Sequence, residues 1–316
     1  MTAANPTILI STWRDGLFVL DDAGERRELR GASIRALAPD GRGGALAIVD
    51  GTALRQRDPS GRWTTLATTT TEVACCVAAG GAIYLGTDDA QVLRVDGDGG
   101  VTALRGFEAV AGRDRWYAGR ALIDGRLVGP PLGVRSITAT CDGAVLLANV
   151  HVGGIPRSTD GGATWEPSID LEADVHQVLA HPRRAHTVVA AAAVGLCASE
   201  DGGATWRTDI TGMHAAYSSA VAFTSDDVLI CAAADHFAPR AAIYRRRVDG
   251  EGALERVGGG LPQWLDRIAD TRCIAASGAA AALADGAGNV YLSLDDGRSW
   301  VARAAGPPHP SSVLLV

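Results

Sequence analysis

Apolar residues in this chain fall in short alternating or continuous runs, separated by clusters of Gly, Asp, Asn, Ser and Pro. Short apolar runs bounded by turn formers read as β-strands. A first strand recurs at residues 33–38, 73–77, 134–139, 175–180, 218–222, 272–276 and 312–316, and second strands follow, as at 82–86 and 144–148. Later in each repeat, between two further strands, lies a turn whose residues repeat almost letter for letter in three copies. Ser158, Asp160, Gly162 and Trp165 return as Ser199, Asp201, Gly203 and Trp206, and again as Ser293, Asp295, Gly297 and Trp300. Asp and Ser side chains can bond the turn's own amides, Gly supplies a positive φ, and Trp opens the returning strand as a plug. These residues are expected to be scaffold.

The spacing turns the motif into an architecture. Asp160 and Asp201 lie 41 positions apart, while Asp201 and Asp295 lie 94 apart, about twice as far. A degenerate copy stands between them at Asp249, and eroded copies precede them at Asp22, Asp58 and Asp96. Four short strands in about 40–50 residues make a propeller blade. Seven first strands and seven hairpins predict an all-β fold, a seven-bladed β-propeller of four-stranded antiparallel blades spanning 1–316 as one domain. The seventh first strand (312–316) is C-terminal and its partners (7–30) are N-terminal, so the ring closes through a split blade and leaves no free edge. One repeat is overlong, with an insertion at 106–133.

Composition narrows the function classes. The 316 residues carry a net charge of -7, which excludes a nucleic-acid face. No apolar stretch is long enough to span a membrane, and the first residues show no secretory pattern, so a cytoplasmic location is expected. The six cysteines show no metal-ligand spacing and are expected as reduced core residues. Lysine does not occur, so all 29 basic residues are arginine and any cationic contact falls to a guanidinium.

In a propeller the turns between second and third strands share one face with the blade-to-blade links, and sites usually lie there. That face collects Trp13, Asn149, His151, Asp174, His214, Tyr217 and the insertion's Arg113 and Trp116. Aligning the first strands puts Arg135, His176, Ser218 and Arg272 in one register, with Arg35 one residue off it. Converging arginines suit a small carboxylate or phosphate ligand. The expected ligand set is therefore Arg135, Arg272, His151, Asn149, Arg113, Trp116, Trp13 and Asp174. An alternative pairs the arginines with Glu72, Asp174 and Asp270. His176, His214 and Tyr217 are the candidates for acid–base work. His151, His176 and His214 could together hold a divalent metal, although no cofactor at all is the simpler expectation. His181 and His186 are expected as solvated loop residues on the opposite face.

The pattern S-x-D-x-G-x-[TS]-W resembles the Asp-box, or BNR repeat, and the chain is similar to Asp-box propeller proteins across nearly its whole length. That superfamily includes sialidases, xyloglucanase-type glycoside hydrolases, sortilin-type receptors and the photosystem II assembly factor. Among them the chain looks most like bacterial single-propeller, sialidase-like BNR-repeat proteins. The resemblance implies a propeller, and it leaves three functions open. These are a channel-mouth site for a small anionic, glycan-derived ligand; a non-enzymatic scaffold docking a protein partner; and a glycoside hydrolase or metal-assisted lyase or hydrolase using carboxylates such as Asp88, Asp89, Asp174 or Asp235. Sialidases carry an arginine–isoleucine–proline motif near the N-terminus. Here Thr12, Trp13, Arg14 and Asp15 stand in its place, so the chain is not a sialidase by motif.

Overall fold

A computed structural model describes residues 5–316 except 120, 124, 130 and 308. Seven four-stranded antiparallel sheets stand in a ring, a seven-bladed β-propeller. The innermost strands of blades 1 to 6 are Ile34–Pro39, Val73–Ala79, Val134–Ala139, Val175–Ala180, Tyr217–Phe223 and Ile274–Ser277. Blade 7 is split as expected: the C-terminal strand Pro310–Leu315 pairs antiparallel with Ile8–Thr12, which continues into Leu17–Asp21 and Gly24–Glu28.

Burial explains the sequence pattern. Strands Ile8–Thr12, Ala45–Val49, Leu146–Val150 and Val188–Ala192 are buried at every position, because each is covered on both faces by neighbouring blades. They therefore read as continuous apolar runs. The outermost strand Gly24–Glu28 is mostly exposed and carries charge. Inner strands converge on the axis and favour small side chains. Blade 1 meets blade 2 through Ala36, Ala38 and Ile48 against Val73, Cys76 and Leu85.

Polar side chains lock the inner strands together across blade boundaries. Val178 N–H donates to Ser136 Oγ (2.8 Å), Ala180 N–H to Thr138 Oγ1 (3.1 Å) and Val221 N–H to Gln177 Oε1 (3.2 Å). The closing strand does the same to blade 1, where Leu37 N–H donates to Ser312 Oγ (3.3 Å) and Ser311 Oγ donates to Ile34 O. Each such bond satisfies a buried backbone group that the sheet itself leaves over.

The repeated turn has one geometry in all three copies. Ser158 Oγ accepts from Gly162 N–H, Asp160 accepts from Thr164 N–H and Oγ1–H, and Trp165 Nε1–H donates to Gly162 O (2.9 Å). Ser199, Asp201, Thr205 and Trp206 repeat this set, as do Ser293, Asp295, Ser299 and Trp300. The second glycine of the turn, such as Gly162 at φ 91°, lies where a Cβ would strike Leu104. The Asp249 hairpin differs, since its carboxylate pairs with Arg184.

The insertion holds two short 3-10 turns, Arg105–Ala109 and Arg113–Arg115, and a hairpin of Ala121–Ile123 and Arg126–Val128. It is anchored by Phe107, fully buried and edge-on to Trp165 at 5.1 Å. Trp116 packs tilted against Phe107 (5.6 Å) in the same cluster, 6% exposed. Five cysteines are buried and unpaired; Cys141 is exposed in a turn, outside the core expected for it. His181 also corrects expectation. It is buried against Phe223 (4.7 Å), and its Nδ1 accepts from Arg183 N–H.

Candidate functional site

The inner strands share a local irregularity that builds the site. In blades 1 to 5 the pairing of first and second strand skips one residue near the strand entrance, a β-bulge. The extra residues are Arg35, Ala74, Arg135, His176 and Ser219. A bulge re-aims its side chain, here at the top of the axis. Arg35 thus stands in register with Arg135, where the sequence alignment left it one residue off. Ser219, rather than Ser218, is the blade 5 equivalent. Ser311 is the skipped residue of the closing strand.

Around these positions lies a cavity of about 940 Å³ at one mouth of the channel. The turns between second and third strands contribute Trp13, Asp88, His151, Asp235 and Phe237; the links contribute Asp174, Asp270 and Thr271. The insertion overhangs it through Gly119, Val128 and Pro131. The rim carries the exposed rings of Trp13 (45%) and Phe237 (60%) beside the exposed Asp235 and His236, while the base is charged.

Arg272 closes the base. It precedes blade 6 with φ 64°, a left-handed conformation held by its N–H donating to Gln177 Oε1 (3.0 Å). Its guanidinium reaches across the ring to donate to the carbonyls of Arg135 and Arg35. It is a plug tying blades 1, 3 and 6: Nη1 and Nη2 are spent on backbone carbonyls, its Nε is buried without a partner among the described residues, and the side chain lines the cavity from below. Arg35 is engaged by Asp88 (2.6 Å) and by Glu72. Burial raises the Asp88 carboxyl above its ordinary range despite that partner. Arg135 is held more loosely. Its Nη2 donates to Thr271 Oγ1 at 3.3 Å, and Asp270 lies 3.9 Å away.

One wall carries a histidine–carboxylate cluster. Asp174 Oδ1 lies 3.0 Å from His151 Nε2 and 3.2 Å from His176 Nε2. Burial works to raise the Asp174 carboxyl, but the two imidazoles outweigh it and hold it well below the usual range. Burial pushes the His151 imidazole down. His176 Nδ1 sits 2.6 Å from Ser218 O; a carbonyl can only accept, so that nitrogen carries the proton. His151 Nδ1 accepts from Gly119 N–H (3.1 Å). The face of His176 packs on Tyr217 at 4.6 Å, and burial raises the Tyr217 phenol.

The structure therefore brings together Trp13, Arg135, His151, Asp174, His176 and Tyr217 of the expected set, with Arg272 beneath. It separates five other candidates. His214 bonds the Tyr244 hydroxyl (2.7 Å) and packs on Trp264, so the three-histidine metal grouping does not form; Asp174 takes the place of His214. Trp116 is core, and Arg113 lies over its ring at 4.9 Å. Asn149 is fully buried, donating to Val175 O (2.7 Å) and paired with Ser136. Asp89 is bonded to Thr87. Sequence reasoning did not single out Phe237 or Thr271 as ligand groups, and no short motif marks them.

No protein-family profile matches the chain, nor does any curated protein sequence. Solved structures do match. A protein described as a 6-phosphogluconolactonase from Bacteroides uniformis superposes with a TM-score of 0.66 at 15% identity, covering 99% of this chain and 100% of that one. An ancestral GH74 enzyme gives 0.61 at 13% identity, over 99% of this chain and 40% of its own. The GH74 xyloglucanase from Xanthomonas campestris gives 0.58 at 16%, over 94% and 47%. The chain thus spans less than half of either GH74 enzyme. Among the described residues no helix is long and apolar enough to cross a membrane. At these identities the likeness is one of fold, and the chain is a seven-bladed β-propeller similar in architecture to glycoside hydrolase and lactonase propellers.

Proposed function

We propose that the channel mouth binds a small, anionic, polyhydroxylated molecule of the sugar-acid or sugar-phosphate class. The observation that carries this reading is a cavity of about 940 Å³, closed below by Arg272, with the loosely held Arg135 guanidinium in its wall. A planar fork with weak protein partners suits a carboxylate or phosphate. Asp88, Asp174, Asp235 and Asp270 supply acceptors for hydroxyl groups, and Trp13, Tyr217 and Phe237 supply ring faces for a sugar to stack on. The names of the structural neighbours, a xyloglucanase and a 6-phosphogluconolactonase, point to sugar-derived substrates in this fold. A cavity of this volume favours a small molecule over the protein partner of the scaffold reading, which calls for an exposed apolar patch and no deep pocket. The Asp-box pattern of the three repeated turns supports kinship with the sialidase-like BNR-repeat propellers, and it concerns the scaffold alone.

The test is a thermal-shift screen of gluconate, glucuronate, sialic acid and gluconate 6-phosphate, followed by calorimetry on the best of them. Arg135→Ala should weaken binding roughly 30-fold or more, the cost of stranding a buried charge. A ligand that binds wild type and Arg135→Ala equally would overturn the proposal.

A further inference from the structure

We propose that His151, Asp174 and His176 form a binding site for a divalent transition-metal ion, of which zinc is the test case, in the wall of the channel-mouth cavity. This goes beyond the ligand reading above and stands without it.

The three ligand atoms, His151 Nε2, Asp174 Oδ1 and His176 Nε2, lie within 4.8 Å of one another. They come from three separate segments: a turn of blade 3, the link between blades 3 and 4, and the bulge of blade 4. Two of the residues are buried, with His151 at 6% and His176 at 1% exposed. Because His176 Nδ1 carries its proton toward Ser218 O, a neutral His176 turns the Nε2 lone pair toward a carboxylate oxygen 3.2 Å away. Two lone pairs at that distance repel unless a proton or a metal ion lies between them, and either can occupy this position. Among the described residues His176 Nε2 has no hydrogen-bond partner although it is fully buried, and the equally buried Asp174 Oδ1 faces only the Nε2 atoms of the two histidines. Groups so placed cost free energy, and an ion shared between them removes that cost.

The chemistry of the set selects the ion. Two imidazoles and one carboxylate suit zinc and its first-row neighbours better than calcium or magnesium, which prefer oxygen. His176 also has the outer partner that metal-bound histidines use, Nδ1–H donating to a backbone carbonyl. Asp174 is held in place by its backbone: it forms a bridge with Val152, and its carbonyl accepts from Ala193 N–H. His151 joins at a cost. Gly119 N–H donates to its Nδ1, which leaves the proton on Nε2, so ligation requires that proton to move and the Gly119 contact to break. Asp174 and His176 are thus the primary pair and His151 completes the set. A Cβ on Gly119 would fall within 3.0 Å of the imidazole of His151, so the insertion rests directly on this ligand.

The experiment uses the full chain stripped with a chelator and then titrated with zinc alone, by calorimetry and thermal melting, with cobalt as a spectroscopic substitute. Expected are one equivalent per chain, a raised Tm and visible cobalt absorption. Asp174→Asn and His176→Gln should each weaken zinc binding by at least about tenfold, with cooperative melting retained in the metal-free state. If His176→Gln fails to fold, the half-buried Asp174→Asn decides the matter. No saturable binding in wild type, or unchanged affinity in Asp174→Asn, overturns the proposal.

Discussion

The closing strand is the most sensitive point of the fold. Deleting residues 310–316 removes Val313 and Leu315, 4% and 6% exposed, from the cluster they share with Ile8, Ile10 and Leu292. At about 1.5–3 kcal/mol for each large apolar side chain, those two alone are worth about 3–6 kcal/mol. The truncation also strips the ladder to Ile8–Thr12 and the Ser311 and Ser312 bonds to blade 1, baring strand edges on both sides of the gap. Net stability of a domain is about 5–15 kcal/mol, so the loss consumes much or all of it. Far-UV circular dichroism with thermal melting and size-exclusion chromatography reads the result. The truncated chain is expected to be unfolded or aggregated. A soluble monomer melting cooperatively at the wild-type temperature would refute ring closure as the source of stability.

Three further outcomes follow from the same contacts. Trp165→Ala and Trp300→Ala, which remove side chains 7% and 3% exposed, should each cost about 3–5 kcal/mol in denaturant unfolding, and the less buried Trp206→Ala should cost less. Bonds from Thr164 and Thr205 hold Asp160 and Asp201 at about 2, below the ordinary 3.8. Their contribution is present above the unfolded-state value and is lost as pH falls toward the folded one, so Tm should drop between about pH 4 and pH 2 and drop less in the double Asn variant. With a thiol reagent, native protein should label at Cys141 alone and all six cysteines after unfolding, because the other five are buried, with Cys75, Cys76 and Cys231 pushed up to about 12 by burial.

The propeller was legible in the sequence because its signals are local. A turn that satisfies its own amides needs Ser, Asp, Gly and Trp at fixed offsets, and the split blade follows from counting strands. The site was legible only in part. Its face could be placed, because strand direction sorts the loops, and Arg135, His151, Asp174 and Tyr217 do meet there. The bulges could not be seen. Each marks the equivalent position of its blade, and without that mark an alignment from the apparent strand starts leaves Arg35 one residue off and puts Ser218 in place of Ser219. Side-chain reach was also hidden. Nothing near Arg272 in sequence reveals that its guanidinium crosses the ring to the carbonyls of Arg35 and Arg135. His214 shares a face with His151 and His176, yet the Tyr244 hydroxyl and the Trp264 ring hold it apart. Trp116 looked like a ligand platform because it lies in a loop, but Phe107 gave it a core to join.

The central question is what occupies the channel mouth. A crystal structure of the wild-type chain grown with the tightest-binding sugar acid or sugar phosphate from the screen is the measurement that settles it. The ligand is expected between Trp13 and Tyr217, its carboxylate or phosphate paired with Arg135. A ligand bound elsewhere on the propeller, with Arg135 still turned to Thr271, would contradict it.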